Sequence, residues 1–268
     1  MRTIDVIKTT DTITAFIKET LTRTRFSEVV VGISGGVDSA LATSLAAKAI
    51  GASHVHALLL PYKNWHDEHK THARLLLNNL KIPAAHIHEI NIAPMVETFI
   101  KELGINNHES RENKVRIGNL MARCRMIALF DFAKKLPGLV LGTENKSEHY
   151  LGYFTRFGDE ASDIEPIRGL YKTEVYKLAE YLNLPQEILT KAPTAGLWLG
   201  QSDESQFGFS YKEADQVLWG LFEAKLSVEE LIKQGLSKDV INRVSAWVKQ
   251  VEFKNHLPYV APEPIVKP

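Results

Sequence analysis

The chain has 268 residues, its 32 Lys plus Arg balance 32 Asp plus Glu, and Cys124 is its one cysteine. That length suits one large α/β domain, or one with a helical appendage, able to bury an ample core. Balanced charge offers no global field for nucleic acid or a membrane surface, a lone cysteine excludes an internal disulfide or a C-x-x-C pair, and no apolar run approaches the ~18 residues of a membrane span. Met1-Arg2-Thr3 leads into no signal-peptide core, so a soluble cytoplasmic protein is expected.

Residues 3–24 read as an amphipathic helix, with Val6, Ile13, Phe16, Ile17 and Leu21 on one stripe. Short apolar runs at 29–33, 55–60, 86–90 and 138–142 then alternate with helical patterns at 39–50, 66–80, 92–103 and 112–136. Runs buried on both faces with helices between them predict a doubly wound, mostly parallel sheet, and ligands bind beyond the carboxyl ends of such strands. Beyond about residue 170 the pattern is helical only: 171–183, 211–223, 227–234 and 237–251. The 191–210 stretch, KAPTAGLWLGQSDESQFGFS, has no clear period, and 195–209 is expected to be a lid. Leu257 to Pro268 holds four prolines and reads as an extended tail. The expected organisation is a single domain over 1–268: an N-terminal helix (1–25), an α/β core (26–170), a helical portion (171–256) and the tail (257–268).

The most informative residues follow the first apolar run: Ser34-Gly35-Gly36-Val37-Asp38-Ser39. A strand, a glycine turn and a helix start make a phosphate cradle, because main-chain N–H groups and the helix dipole point at one spot. Gly35 and Gly36 let an anion approach the backbone, Ser34 and Ser39 add hydroxyls, and Asp38 stands where a metal on the phosphates would sit. Neither the Walker G-x-x-x-x-G-K-[ST] nor the dinucleotide G-x-G-x-x-G spacing is present. The hexapeptide instead resembles the pyrophosphate loop of the N-type ATP pyrophosphatases, which cleave ATP between its α- and β-phosphates and leave an adenylate.

GTENKSEHYLGYFTRFGDEASDIEPIRGLYKTEV at 142–175 resembles the matching block of NAD synthetases, as do GNLMARCRM at 118–126 and KAPTAGLW at 191–198. On these motifs the chain is identified as a member of the ammonia-dependent NAD synthetases. The resemblance implies a Rossmann-like fold of the adenine nucleotide α-hydrolase type with a C-terminal helical portion. It implies ATP-driven adenylation of the nicotinate carboxylate of deamido-NAD, then displacement of AMP by ammonia. ATP contacts are implied at Gly32, Ile33, Ser34, Gly35, Gly36, Val37, Asp38, Ser39, Thr143, Lys172 and Thr194. Magnesium ligands are implied at Asp38 and Glu148, and deamido-NAD contacts at Arg123, Arg156, Asp163 and Lys254. Some relatives carry a His-Lys pair near the carboxyl end; here it is Phe253-Lys254, so Phe253 is the weaker candidate.

Residue chemistry stands beside that resemblance. Adenylation brings many negative charges together, and magnesium prefers one or two protein carboxylates plus phosphate oxygens and waters. Lys172 sits near a helix start, where a cation is electrostatically disfavoured unless an anion meets it. Thr143 is equally a helix cap and Thr194 equally a turn former; Arg125 suits a structural carboxylate pair. Tyr153, Phe154 and Phe157 suit either ring stacking or pinning a loop. Asp163 is also a candidate contact for ammonia or ammonium, and no covalent nucleophile on the protein is required. His66, His69 and His72 fall on one side of a helix, but WHDEHKTHAR reads as a solvated face rather than a zinc site; His54/His56 and His86/His88 read as packing residues on sheet faces, and Cys124 as a core thiol.

The 268 residues leave no room for the ammonia-producing hydrolase domain of glutamine-using relatives, so free ammonia is expected. A homodimer with the dinucleotide near the interface is implied by the resemblance, with 3–24 and 112–136 as candidate interface helices. Two rivals share the cradle: another adenylating amidotransferase or thiolase, and a regulator that holds ATP without turning it over. Too few cysteines weigh against a thiolase, the 142–175 block against another amidotransferase, and Glu148 with Lys172 against a pure sensor.

Overall fold

A computed structural model describes residues 2–63, 67–194, 196, 203–256 and 258–261. Of the expected lid, 195 and 197–202 lie outside the described residues, as do 257 and 262–268 of the expected tail, and His66.

Helix α1 (Val6–Thr24) starts at Asp5, whose carboxylate accepts from the N–H groups of Ile7 and Lys8, and ends at Arg25 in the left-handed conformation. Its stripe buries Ile13, Ile17 and Leu21, whereas Phe16 is 43% exposed and leaves the predicted stripe. Strands β1 (Glu28–Gly32), β2 (Val55–Leu59), β3 (Ile87–Glu89) and β4 (Gly138–Leu141) form one sheet in the order β3-β2-β1-β4 with every pairing parallel. The connections are helical: α2 (Val37–Ile50) after β1, α3 (Asp67–Asn79) after β2, and α4 (Ala93–Glu102) with α5 (Arg111–Lys135) between β3 and β4.

Alternation along β1 divides the interior. Val29 and Val31 pack with α1 and α2, whereas Val30 packs with Val140, Met121 and Cys124 on the α4–α5 side. Both faces are therefore covered, as a parallel sheet requires. Cys124 is buried there, and burial raises its thiol pKa.

After β4 come α6 (Lys146–Tyr150), α7 (Lys172–Tyr181), α8 (Gln186–Leu189), α9 (Asp203–Phe207), α10 (Tyr211–Leu218), α11 (Val228–Lys233) and α12 (Lys238–Val251). The short α6, α8 and α9 escape a periodicity reading because four or five residues complete barely one turn. Another buried cluster, containing Leu151, Tyr171, Phe207, Leu218 and Val244, knits α10–α12 to the segment after β4. A π-helical turn, Trp219–Glu223, extends α10. It brings the Glu223 carboxylate to Lys146 Nζ at 2.6 Å, the Tyr171 hydroxyl at 3.0 Å and Arg2 at 3.1 Å.

Candidate active site

β1 neighbours β2 on one side and β4 on the other, so the chain leaves adjacent strands in opposite directions. That switch point opens a crevice at the strands' carboxyl ends. The glycine loop follows β1 and residues 142–148 follow β4, so both motif segments flank it. A cavity of about 460 Å³ lies there, walled also by α5, the 152–161 segment, Lys172 and residues 191–194.

The glycine loop is braced by its own hydroxyls. Ser34 Oγ accepts from Gly36 N–H at 3.2 Å and shares a 3.0 Å bond with Ser39 Oγ, which also donates to Gly36 O at 3.1 Å. No side chain caps α2 at Gly36, and Asp38 lies in its first turn. Gly35 has φ +77°, and a Cβ there would stand 2.4 Å from the His69 carbonyl oxygen. His69 Nδ1 is 3.1 Å from Ser34 O, so α3 rests directly on the loop.

Across the crevice, Asn145 caps α6 in a capping box with Glu148. The Asn145 amide also donates to Asp38 Oδ1 at 2.8 Å. This corrects the expectation for Thr143, which lines the cavity but does not cap the helix. The N-x-x-E signature could have singled out Asn145.

Lys172 is the first residue of α7, and its Nζ lies 2.6 Å from Asp38 Oδ2 and 3.1 Å from Glu148 Oε1. The lysine side chain is 3% exposed, the carboxylates 18% and 16%. Burial works against the Lys172 ammonium, but the two carboxylates outweigh it and hold the pKa above the usual lysine value. Burial first, and the Asp38 charge second, push Glu148 up to about 8, with Lys172 opposing. The cation at a helix start thus meets two carboxylates in this structure.

This donor set fits magnesium. Two carboxylates converge on a cationic centre beside a phosphate-shaped loop, with the ammonium standing where positive charge is required. Among the described residues no group of three or more His, Cys, Asp or Glu side chains could hold a metal, so a full protein cage is not offered.

Of the residues singled out from sequence, Gly32, Ile33, Ser34, Gly36, Val37, Asp38, Ser39, Thr143, Glu148, Lys172, Thr194 and Lys254 line the cavity. Thr194 Oγ1 accepts from Gly196 N–H at 3.1 Å, as a turn former does. Lys254 Nζ donates to the carbonyls of Gly152 and Phe154, which fastens the 152–154 segment, and burial lowers its pKa.

Gly35, Arg123, Arg156, Asp163 and Phe253 are not among the lining residues. Arg123 donates twice to Arg156 O, at 3.3 and 3.2 Å, and the Arg156 guanidinium lies 5.7 Å from the rings of both Phe157 and Phe253. These residues make one cationic, aromatic patch outside the cavity. The Asp163 carboxylate accepts from Val140 N–H at 2.8 Å, tying its loop to β4. Tyr153 and Phe154 line the cavity, whereas Phe157 is exposed.

Several other expectations are corrected. Among the described residues Arg125 makes no close carboxylate pair; its Nε donates to Leu60 O at 3.2 Å, and burial lowers its pKa to about 10 against the pull of Asp159. His72 is buried rather than solvated. His54 and His86 sit in 3₁₀ turns before β2 and β3, not in the strands. His56 stacks on His86 at 4.1 Å and on His88 at 5.7 Å, beside Phe132. Lys191 opens the 191–198 motif but drew no role from the sequence: it lines the cavity, and its buried Nζ has no hydrogen-bond partner among the described residues.

Comparison with known proteins supplies the context. The NH(3)-dependent NAD(+) synthetase of Thermococcus kodakarensis is 43% identical over 98% of this chain and 100% of its own length. Among solved structures, NMN synthetase from Francisella tularensis superposes with TM-score 0.83 at 32% identity, covering 97% of this chain and 99% of that one. The NH3-dependent NAD synthetase from Campylobacter jejuni, solved with nitrate, gives 0.79 at 32% identity, covering 97% and 100%. The NAD synthase family model matches residues 9–258, a span that holds both crevice segments, the paired carboxylates and Lys172, and the chain belongs to that family.

Proposed function

We propose that this cavity makes NAD by ATP-dependent amidation of deamido-NAD with ammonia, releasing AMP and pyrophosphate through an adenylated carboxylate. The observation that carries this reading is the pairing of Asp38 and Glu148 around one buried cation, at the mouth of a glycine loop and across a topological switch point. Family membership and the curated relatives' names support the reaction.

The substrate carboxylate attacks the α-phosphorus of ATP, the bond to the bridging oxygen breaks, and pyrophosphate leaves. Ammonia then adds to the acyl carbon, the carbon–oxygen bond to AMP breaks, and a proton is released. The loop 32–39, with Thr143, Lys172 and Thr194, holds ATP. Apolar Ile33, Leu58, Leu60 and Leu129 beside the loop offer a surface for a flat base. Asp38 and Glu148 hold magnesium, which when bound neutralises the phosphate oxygens as charge develops. Lys172 supplies a positive charge in a dry setting, where its attraction for the phosphates is stronger than in water.

Lys254 within the cavity and Arg123, Arg156, Asp163 and Phe253 on the outer patch hold the dinucleotide. In Phe253 the patch has an aromatic that receives the Arg156 cation, in the place of the histidine expected in some relatives. Asp163 serves as a dinucleotide contact first, and its bond to Val140 N–H holds its loop against β4.

The chain acts as a single domain, since α7 and residues of the helical portion complete walls begun by the sheet. It acts in the cytoplasm as a homodimer, with the patch near the interface: exposed apolar Val115 and Ile127 on α5 and Ile7 and Phe16 on α1 support an association surface. Sedimentation showing only monomer at micromolar concentration would count against the dimer.

The test of function is NAD formation from deamido-NAD, ATP, Mg²⁺ and ammonium, with AMP measured alongside. Equal NAD and AMP are expected. Turnover with the deamidated mononucleotide alone would shift the substrate toward that implied by the NMN synthetase neighbour. ATP binding without either product would favour the regulator.

A further inference from the structure

Two short-range contacts decide where the charged groups of the cavity stand. Helix α6 delivers Glu148 and α7 delivers Lys172, and both helices begin within hydrogen-bond reach of one side chain, Asp215 of α10. Asp215 Oδ1 accepts from the Ser147 hydroxyl at 2.5 Å, and Oδ2 accepts from Thr173 N–H at 2.8 Å. Ser147 Oγ in turn accepts from Lys172 N–H at 2.8 Å. Ser147 directly precedes Glu148, and Thr173 directly follows Lys172.

Asp215, Ser147 and Lys172 are all buried, so these bonds are made without competing water. The first two N–H groups of α7 are met by Ser147 and Asp215, and the third, of Glu174, by Tyr171 O at 2.8 Å. A negative charge at that helix start also suits the dipole.

We propose that Asp215 is a positioning residue for the ligation: one carboxylate from the helical portion sets the spacing between Glu148 and Lys172, and so the fit of metal and phosphate between them. This rests on reading Asp38 and Glu148 as the magnesium carboxylates. Two acceptor oxygens are needed: an ionised carboxylate only accepts, so the Ser147 hydroxyl donates to Oδ1 while itself accepting from Lys172 N–H, and Thr173 N–H donates to Oδ2. Asparagine would present an N–H₂ to one side, and either Thr173 N–H or the Ser147 proton would lose its acceptor.

The test is Mn²⁺ uptake, read by electron paramagnetic resonance in the presence of a non-hydrolysable ATP analogue, together with steady-state kinetics. For Asp215→Asn we expect Mn²⁺ affinity to fall roughly ten-fold or more, as loss of a supporting partner typically does. The kcat should fall about 100-fold, the cost of a small misplacement at reacting groups, while KM for deamido-NAD stays within about two-fold. A merely stabilising residue would lower the melting temperature without that split. Ser147→Ala breaks the same relay without touching the carboxylate and should shift both readouts the same way; it decides the matter if Asp215→Asn does not fold. Wild-type protein that takes up no Mn²⁺ with the analogue overturns the magnesium reading and this inference with it. Wild-type uptake matched by the variants, with kcat unchanged, overturns this inference alone.

Discussion

Lys172 Nζ approaches Asp38 Oδ2 to 2.6 Å, so the residue that opens α7 closes the glycine loop's carboxylate over the crevice. An ammonium and a divalent cation cannot both stand between Asp38 and Glu148. On the proposed reading, with the metal held by Asp38 and Glu148, the Lys172 ammonium would turn to the ATP phosphates instead.

Replacing Lys172 with Met therefore has two expected results. Turnover falls about 100- to 1000-fold, as when one charge-stabilising donor is removed. Melting measured with Mg²⁺ but no ATP rises for the variant and not for the wild type, because the carboxylates are then free to take the metal. An equal response of both proteins to Mg²⁺ alone would refute the competition.

Glu148→Gln keeps an oxygen for the Asn145 N–H and removes the charge. Metal-free ATP binding should change by less than about three-fold, while NAD formation falls about 100- to 1000-fold. Isothermal titration and the coupled assay check the two halves. Retained turnover would remove Glu148 from the metal site.

Gly35→Ala tests the loop's backbone. With φ at +77° and the His69 carbonyl 2.4 Å from the new Cβ, either the loop or α3 must move. A loss of about 1–3 kcal/mol in unfolding free energy is expected, together with weakened ATP binding. Chemical denaturation measures the first and titration the second; a variant as stable as the parent would show that α3 yields freely.

The histidines at the sheet's opposite end predict a pH response. Burial lowers the pKa of His56 and His88 below 6.5, with neighbouring His86 adding to it in both, and His88 and Lys135 contributing further. Glu28, 3.3 Å from His56 Nε2 and 2.9 Å from His54 Nδ1, pulls His56 the other way. Below pH ~6.5 the unfolded chain takes up these protons first, so stability is full above that value and falls as pH drops through the depressed pKa values. Glu165, raised to about 7 chiefly by burial, acts in the opposite sense: its contribution is present at low pH and lost as pH rises through 7. The difference between wild type and His56→Gln isolates the cluster: the variant's melting temperature should fall less between pH 7 and pH 5. Parallel curves would contradict the assignment.

What could be read from the chain divides along physical lines. The four strands, α2 and the long α5 were legible because apolar runs and helical periods are local, and the crevice followed from strand order once a glycine turn marked its edge. Asp38, Glu148 and Lys172 were singled out, but their mutual pairing was not, since 110 and 24 residues of sequence separate Asp38 from Glu148 and Glu148 from Lys172. Asp215 was invisible for the same reason: inside an amphipathic helix an aspartate reads as a solvent-facing charge, and only packing of α10 on α6 and α7 makes it a buried double acceptor. Phe16 misled because an apolar residue near a stripe's edge need not face the core.

The π-helical turn at Trp219–Glu223 acts as a gear tooth. Its one extra residue per turn advances Glu223 around the axis, by roughly 100° relative to a regular α-helical continuation. Excising a single residue there would keep the helix and its composition yet swing the carboxylate off Lys146, Tyr171 and Arg2 together. Lys146 opens the same short helix that bears Glu148, so a length change remote from the crevice would be felt at its rim. This stretch of chain should therefore be sensitive to insertion or deletion, as it is to substitution of Glu223 itself and of buried Gly220, where a Cβ would stand 2.4 Å from Leu231.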